Sequence, residues 1–299
     1  MPKSFTVDDE YHETRIDKWF KQKVISLPHS LIERILRQNK IKINKKKVKS
    51  SYRLQAGDLI EIFDISKFKV KDKIEKIKYK PKKKELSKYD DYIIENNDNF
   101  IIINKPAGIP VQSGTKSFKN ITDLLKDSKY FVGSKPFIVH RIDKETSGIL
   151  IIAKSRKYAQ LFTSLFRIRK IHKTYLALTY GKINKSVKNM RDNLIYFENK
   201  KKIIQKAISN IKIIKSNDEL SYVELNPITG RKHQLRKQLL NLGNPIIGDD
   251  KYFLTNFRKI KTKNLMLHSH KIKFMINNVQ YNFKAKYNKF FDNFLNKYF

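Results

Sequence analysis

The sequence predicts an α+β fold in two parts, a small αβ unit over residues 1–65 and a mixed, strand-rich domain over residues 91–299, joined by a lysine-rich linker at 66–90. Three observations predict it. The first 65 residues switch from a helical to a strand period. The later chain carries short apolar runs bounded by glycine and proline, of strand rather than helix length. Between them, Lys67-Phe68-Lys69-Val70-Lys71 through Lys80-Pro81-Lys82-Lys83-Lys84 has little apolar periodicity and repels itself, as a charged tether does. Val70, Ile74 and Ile77 could add a short edge strand there.

In the first part, Arg15-Ile16-Asp17-Lys18-Trp19-Phe20 opens a short helix with Ile16, Trp19 and Phe20 on one face. A second helix starts at Pro28-His29-Ser30; Ser30 and Glu33 have capping-box spacing, and Leu31, Ile32, Ile35 and Leu36 form an apolar stripe. Lys40-Ile41-Lys42-Ile43-Asn44 alternates as a strand, Asn44-Lys45-Lys46-Lys47 turns, and Gly57-Asp58 precedes the strand Leu59 to Phe63. Arg34, Arg37, Lys40 and Lys42 gather at the helix-to-strand junction and are candidate RNA-binding residues, placed to grip a backbone by shape. A generic αβ unit would share this pattern. In the second part, Phe100–Asn104 and Ile149–Ala153 are buried-strand runs, Thr174–Leu178 and Tyr222–Leu225 are strands, and Leu161–Phe166 and Leu235–Leu242 are helical.

Composition bounds the function. Lys+Arg number 65 against 28 Asp+Glu, a formal net charge of +37, so the surface should find polyanions through counterion release. An AT-rich genome could inflate lysine, but need not leave acids so scarce. Charge does not separate DNA from RNA. With 40% hydrophobic residues the chain can build cores. It has no cysteine, which excludes disulfides, thiolate zinc sites and a cysteine nucleophile and suits a reducing compartment. The first ten residues lack an apolar signal core, and no apolar run approaches the roughly 20 residues needed to cross a bilayer. The expectation is a soluble, cytoplasmic protein with no membrane association, acting as a monomer.

The densest chemistry lies in His140-Arg141-Ile142-Asp143-Lys144-Glu145-Thr146-Ser147-Gly148, which sets a carboxylate among cations just before an apolar strand. A core strand has no use for such company, whereas a catalytic loop needs an acid held on rigid flanks. A solvated connection would look similar by spacing alone. The stretch resembles the HRLDxxTSG signature of the RluA/RluC/RluD family of RNA pseudouridine synthases, with Ile142 in place of leucine. That resemblance implies Asp143 as the catalytic residue. It extends to three further blocks and nearly the whole chain.

Asn226-Pro227-Ile228-Thr229-Gly230-Arg231-Lys232-His233-Gln234-Leu235-Arg236 reads as strand end, turn and helix start, with Leu239 and Leu240 following Arg236 at helical spacing. An arginine there either snorkels to solvent or pairs with a buried acid. The block resembles the family's TGRxHQLR, which implies that Arg236 pairs with Asp143 and that Arg231 and His233 help bind substrate. Gly243, Pro245, Gly248-Asp249 and Tyr252 fit the block's continuation. Tyr175 alone reads as a core aromatic; its Lys173–Ala177 context resembles KxYxA, which implies a catalytic tyrosine stacked on the target base. Arg141 then resembles the residue that fills the gap left by a flipped nucleotide, and His140 a substrate-side residue that orients the loop. Asn104-Lys105-Pro106-Ala107-Gly108 resembles NKPxGxxV; it is expected to shape the site wall, with Asn104 and Lys105 as candidate phosphate contacts. The basic N-terminal unit resembles the αL-type RNA-binding module of the ribosomal-protein S-four kind.

The reaction implied breaks the bond from ribose to a ring nitrogen and rejoins the sugar to a ring carbon, so no cofactor and no metal is expected. The partner implied is large-subunit ribosomal RNA, and details near Gln112-Ser113-Gly114-Thr115-Lys116-Ser117 look more like the RluC branch than RluD. The alternative is a non-catalytic RNA-binding or ribosome-assembly protein with the same fold. A general DNA-binding protein would explain the charge but not the Asp143 loop.

Overall fold

The computed structural model describes residues 2–25, 27–64, 89–112, 119–198, 201–260, 262, 264–287 and 289–299. The expected linker at 66–90, with its possible edge strand, lies almost entirely outside the described residues. The chain divides into two compact units, Met1–Ile77 and Lys78–Phe299. Among the described residues, no helix is long and apolar enough to cross a membrane.

The first unit is a four-stranded antiparallel sheet in the order β1-β4-β2-β3, with β1 Lys3–Thr6, β2 Ile41–Ile43, β3 Lys46–Lys47 and β4 Leu59–Ile62. Helices α1 (Ile16–Lys23) and α2 (His29–Arg37) share its core, which collects Ile16, Trp19 and Phe20 from α1, and Ile32, Ile35 and Leu36 from α2. The periodicity reading of both helices holds. The expected capping box does not form: Pro28 is the N-cap, Ser30 lies inside the first turn, and the Glu33 carboxylate accepts from the Ser50 hydroxyl at 3.2 Å. With the helix beginning at His29, Ser30 is already helical and its hydroxyl cannot take the N-cap position. The turn predicted over Asn44–Lys47 is tighter than expected. Only Asn44 and Lys45 take positive φ, and Lys46–Lys47 already form the return strand.

A buried acid ties the two helices together. Asp17, with a side chain 8% exposed, accepts from Arg15 Nε and Nη2 at 3.1 and 2.8 Å and from the Lys18 N–H, and meets His29 Nε2 at 2.8 Å. Burial works to raise its pKa, but the hydrogen bonds from Arg15 and His29 outweigh it and hold the carboxyl below its ordinary 3.8.

The second unit is built on a ten-stranded sheet with the path β10-β11-β12-β9-β13-β8-β6-β5, to which β14 and β7 attach. Its strands are β5 Ile93–Asn96, β6 Phe100–Lys105, β7 Phe137–Ile138, β8 Ser147–Ala153, β9 His172–Tyr180, β10 Asn189–Glu198, β11 Lys201–Ser216, β12 Leu220–Pro227, β13 Leu267–Ile276 and β14 Val279–Lys284. The helices are α3 Ile121–Lys126, α4 Arg156–Arg167, α5 Gln234–Asn241 and α6 Lys289–Tyr298.

The apolar runs at β6 and β8 explain themselves by double burial. Phe100, Ile102, Ile149 and Ile151 pack on one side with Phe162 of α4, while Ile101, Ile103, Leu150 and Ile152 pack on the other with Ile121, Leu124 and Leu125 of α3. A strand covered on both faces loses the polar alternation of a half-exposed one. The ladder is antiparallel except at one crossing, where β8 pairs parallel with β13 through Ser147 to His268 and Gly148 to Ser269. That crossing lies directly after the loop bearing Asp143.

Because the Asp17 pKa is depressed in the folded chain, its stabilising effect is present above the unfolded value near 4 and is lost as pH falls through the lower folded value. Asp17→Asn is expected to remove about 1.5–3 kcal/mol from the first unit. Hydrogen exchange on the full chain checks this: protection of α1 and α2 should fall while that of β9 stays unchanged.

Candidate active site

Asp143 lies on the connection between β7 and β8, in a turn closed by the Thr146 N–H onto the Asp143 carbonyl at 3.2 Å. The loop is nailed down on both sides. Ile142 is buried among Val111, Leu150 and Ile152. Lys105, at the end of β6 and 0% exposed, donates to the carbonyls of Pro106, Ile109 and Lys144 at 2.8, 2.9 and 3.0 Å. The Gly108 N–H adds a second bond to the Lys144 carbonyl at 2.9 Å. Burial pushes the Lys105 ammonium down to about 7, opposed by the charges of Glu145 and Asp143. Lys105 is therefore occupied inside the protein, which corrects its expected role as a phosphate contact. The Asn104 amide likewise donates to the Lys286 carbonyl at 2.7 Å. The segment braces the Asp143 loop through Lys105 and Gly108, but none of Asn104 to Gly108 lines the cavity that holds Asp143.

His140, two residues after β7, is held by the strand it precedes. Its Nε2 accepts the Ile151 N–H at 2.8 Å, and its ring lies 4.7 Å from that of Phe166. Burial, aided by Lys173, pushes it down to about 3, so the imidazole is neutral with its acceptor nitrogen in use. Further along, the Ser147 hydroxyl meets His268 Nδ1 at 2.9 Å. Gly148 has φ +105, and a Cβ there would lie 2.2 Å from the Ser269 carbonyl oxygen. The glycine of the signature is thus set by the close approach of β13.

Arg236 comes from the first turn of α5, and its main partner is not Asp143. Its Nε and Nη2 grip Asp249 Oδ2 and Oδ1 at 2.6 and 2.7 Å, while Nη1 stands 3.5 Å from Asp143 Oδ2. The guanidinium also lies over the Tyr252 ring, 4.9 Å from its centroid. Burial opposes the charge, but the Asp249 hydrogen bonds outweigh it and keep Arg236 above its ordinary value. The expected pair with Asp143 is present as the longer contact, beside a bidentate pair that sequence reasoning did not assign. Asp249 is itself 0% exposed in its side chain. It is placed by Ile246, which bridges Thr179, by Ile247, whose backbone bonds Leu178 and Met266, and by Gly248, where a Cβ would meet the Asn264 carbonyl oxygen at 2.1 Å. The available signal was an acid following a buried-looking Ile-Ile-Gly in an acid-poor chain.

His233 holds the left-handed conformation, φ +53, at the N-cap of α5. Its Nε2 is 3.7 Å from Asp143 Oδ1, and its Nδ1 meets the Tyr252 hydroxyl at 2.9 Å. Burial pushes His233 below its ordinary value although Asp143 pulls the other way, and Arg236 adds to the depression. Asp143 therefore faces one fixed cation and one imidazole whose protonation burial disfavours. Sequence reasoning also missed the amides that fasten α5 to the sheet. Gln234 bonds Thr229, Arg231, Ile208 and Ser209; Gln238 bonds Ser209, Met190, Asp192 and Ala207.

Tyr175 of β9, half-buried and hydrogen-bonded with Ser269, is pushed up to about 12 by desolvation, so it is a neutral phenol at ordinary pH. Asp143, Tyr175, His233 and Arg236 line one cavity of about 580 Å³, with exposed Arg141 and with Arg231, whose Nε donates to the Lys206 carbonyl at 3.2 Å. Residues scattered over nearly 100 positions thus converge, and His140 lines the same cavity. In the first unit, Arg34 and Arg37 are exposed at the end of α2, Lys40 pairs with Asp64 at 2.9 Å, and Lys42 lies 5.4 Å from the Phe63 ring centroid. The stretch Ser113–Ser117, part of the branch comparison, lies outside the described residues.

Comparison with known proteins gives consistent matches. The family described as RNA pseudouridylate synthase matches residues 99–241, and the S4 domain matches residues 14–60. A ribosomal large subunit pseudouridine synthase C of Rickettsia felis is 40% identical over 254 residues, 80% of this chain and 81% of the relative. The protein of the same name from Vibrio parahaemolyticus is 32% identical over 282 residues, 90% of this chain and 87% of the relative. Among solved structures, human RNA pseudouridylate synthase domain containing 4 superposes with a TM-score of 0.60 at 25% identity, covering 71% of this chain and 94% of that one.

The geometry sets two stability expectations. Asp249→Asn leaves a buried guanidinium without its charged partner and should cost about 3–5 kcal/mol. Gly148→Ala forces a Cβ into the β13 backbone from a positive φ and should cost roughly 2–5 kcal/mol. Chemical unfolding of the full chain followed by far-ultraviolet circular dichroism checks both; a change under 1 kcal/mol in either would contradict the contact described.

Proposed function

We propose that this chain, which belongs to the RNA pseudouridylate synthase family and is an isomerase acting on RNA, converts selected uridines of large-subunit ribosomal RNA to pseudouridine in the cavity holding Asp143. The observation that carries the site assignment is a carboxylate, Asp143, within 3.5 Å of a buried guanidinium and 3.7 Å of the His233 imidazole inside a basic cavity. The names of the relatives support the large ribosomal subunit as the substrate class. The cytoplasm is the compartment where that RNA is found in a bacterial cell.

The chemistry asks for a defined set of groups. The bond between ribose C1′ and uracil N1 breaks, a bond from C1′ to C5 forms, the C5 proton leaves, and N1 gains a proton. The target must leave its stack first, at a cost of a few kcal/mol. Asp143 can act as nucleophile at the sugar or the base, or receive the C5 proton, and in each role it must be ionised. Arg236 sets a positive charge 3.5 Å from one carboxylate oxygen, and Asp249 holds Arg236 at a fixed distance. Tyr175, a phenol at neutral pH, offers an aromatic face for the loose pyrimidine and a proton to donate, but is not a base there. Arg141, exposed beside Asp143, fills the space the nucleotide vacates, while Arg231 and His233 contact substrate. His140 acts through the loop, since its acceptor nitrogen is taken by Ile151.

The first unit docks structured RNA through Arg34, Arg37, Lys40 and Lys42, with residues 1–65 as the RNA-binding domain and 91–299 as the catalytic one. Lys40 contributes by exchanging Asp64 for phosphate, a weaker gain than the unencumbered Arg34 and Arg37 provide.

Tritium release from ring-labelled uridine in unmodified large-subunit rRNA tests the reading, because the label leaves only when C5 becomes bonded to sugar. Asp143→Asn is expected to lower release by roughly 10³-fold or more while RNA affinity stays within a few-fold of wild type. Full activity in that variant would remove Asp143 from the chemistry. No release by wild type, on free RNA or assembling subunits, would favour a binding-only protein.

A further inference from the structure

We propose that Arg169, at the C-terminal end of α4, binds an RNA phosphate next to the flipped uridine, and that Arg167 extends the same phosphate-binding rim. The proposal rests on the reading of the cavity as the uridine site and adds residues that the sequence motifs do not include.

The first argument is charge. The cavity around Asp143 is lined by six Lys and Arg side chains, Arg141, Arg167, Arg169, Lys173, Arg231 and Arg236, against one carboxylate, Asp143 itself. Arg236 is committed to Asp249 and Asp143, which leaves five cations without an acid among the lining residues. Uracil is neutral and needs none of them. The two phosphates that flank any flipped nucleotide do, and guanidinium presents the planar donors that match them.

The second argument is the backbone. Helix α4 ends in a Schellman motif: the Lys170 N–H reaches the Leu165 carbonyl at 2.9 Å, and the Arg169 N–H reaches the Phe166 carbonyl at 3.2 Å. Arg169 sits at the left-handed position of that motif, φ +59, where glycine is the usual residue because a side chain is strained there. An arginine at such a place needs a use. It is exposed, it lines the cavity, and it has no hydrogen bond or ion pair with another described side chain. Arg167, also exposed and lining the cavity, touches only the Ser164 hydroxyl, at 3.4 Å. His233, on the α5 side of the same cavity, is the other strained residue there, φ +53. Left-handed residues that are not Gly, Asn or Asp thus stand on two separate elements facing Asp143, the distribution expected where strain is retained for function.

The strain makes a clean test, because glycine relieves it while deleting the cation. Arg169→Gly and Arg169→Asn, both suited to positive φ, are compared with Lys297→Ala, which removes an exposed cation that does not line the cavity. The full chain and a large-subunit rRNA transcript are used, reading melting temperature, KM and kcat for tritium release, and Kd against salt. For both Arg169 variants a melting temperature at or above wild type is expected, with KM raised about 3- to 10-fold, a smaller effect on kcat, and a log–log salt slope shallower by about 0.7 to 0.9. Lys297→Ala should change neither KM nor slope. Unchanged KM and slope in the Arg169 variants, or an equal change in Lys297→Ala, would overturn the proposal. So would a lower melting temperature in both Arg169 variants, which would make the arginine structural. Absent tritium release by wild type would count against the isomerase reading instead, and the Kd slope would still judge Arg169.

Discussion

The bidentate pair between Arg236 and Asp249 is the constraint on which the site depends. A guanidinium 9% exposed is costly to bury without a partner of fixed geometry, and Asp249, wholly buried, gives it two short hydrogen bonds. Only the third nitrogen, Nη1, is left to face Asp143. The division matters chemically. A cation locked onto both Asp143 oxygens would occupy their lone pairs, whereas one anchored on Asp249 leaves an Asp143 oxygen open. The cost of burying the pair is met by folding, before any RNA arrives.

Everything that positions that pair is core. Asp249 hangs from Ile246 and Ile247, which are packed into the cluster shared with β9 and α5, and Arg236 rides on a helix whose Leu235 and Leu239 enter the same cluster. Asp143 is carried by the other half of the sheet, on the connection from β7 into the doubly buried strand β8. The two halves meet where β8 runs parallel to β13, at the contact that admits only glycine at 148. A displacement at this crossing would move the carboxylate relative to its cation. The buried Lys105 works to the same end, since its three carbonyl acceptors bind the end of β6 to the Asp143 loop.

The surplus positive charge serves a different purpose from these buried pairs. Most of it is exposed, where it draws a polyanion without paying desolvation and acts over about a Debye length. The few cations taken into the core are those that organise the chemistry. Lys105 holds the loop and Arg236 holds the field, while the exposed arginines around the cavity remain available to phosphate.

Periodicity and composition made much legible: the two helices and strands of the first unit, the buried strands β6 and β8, strands β9 and β12, helices α4 and α5, and the basic partner-seeking surface. These follow from local rules, in which side-chain spacing alone decides which face is apolar. The motifs carried Asp143, Tyr175 and Arg236 to one cavity. Local rules failed where the partner was distant or the energetics were competitive. Ser30 and Glu33 had the spacing of a cap, but the helix already begins at His29. Lys105 looked like a phosphate ligand, and burial against three carbonyls made it a clamp. By itself, then, the sequence determined the elements, the chemical groups and the charge that selects a nucleic acid. Tertiary structure alone decided that Arg236 belongs first to Asp249, that β8 crosses β13 in parallel, and that Arg169 borders the cavity. Those choices depend on which groups lose water together and which backbones come within van der Waals reach, and neither is a property of any short stretch of chain.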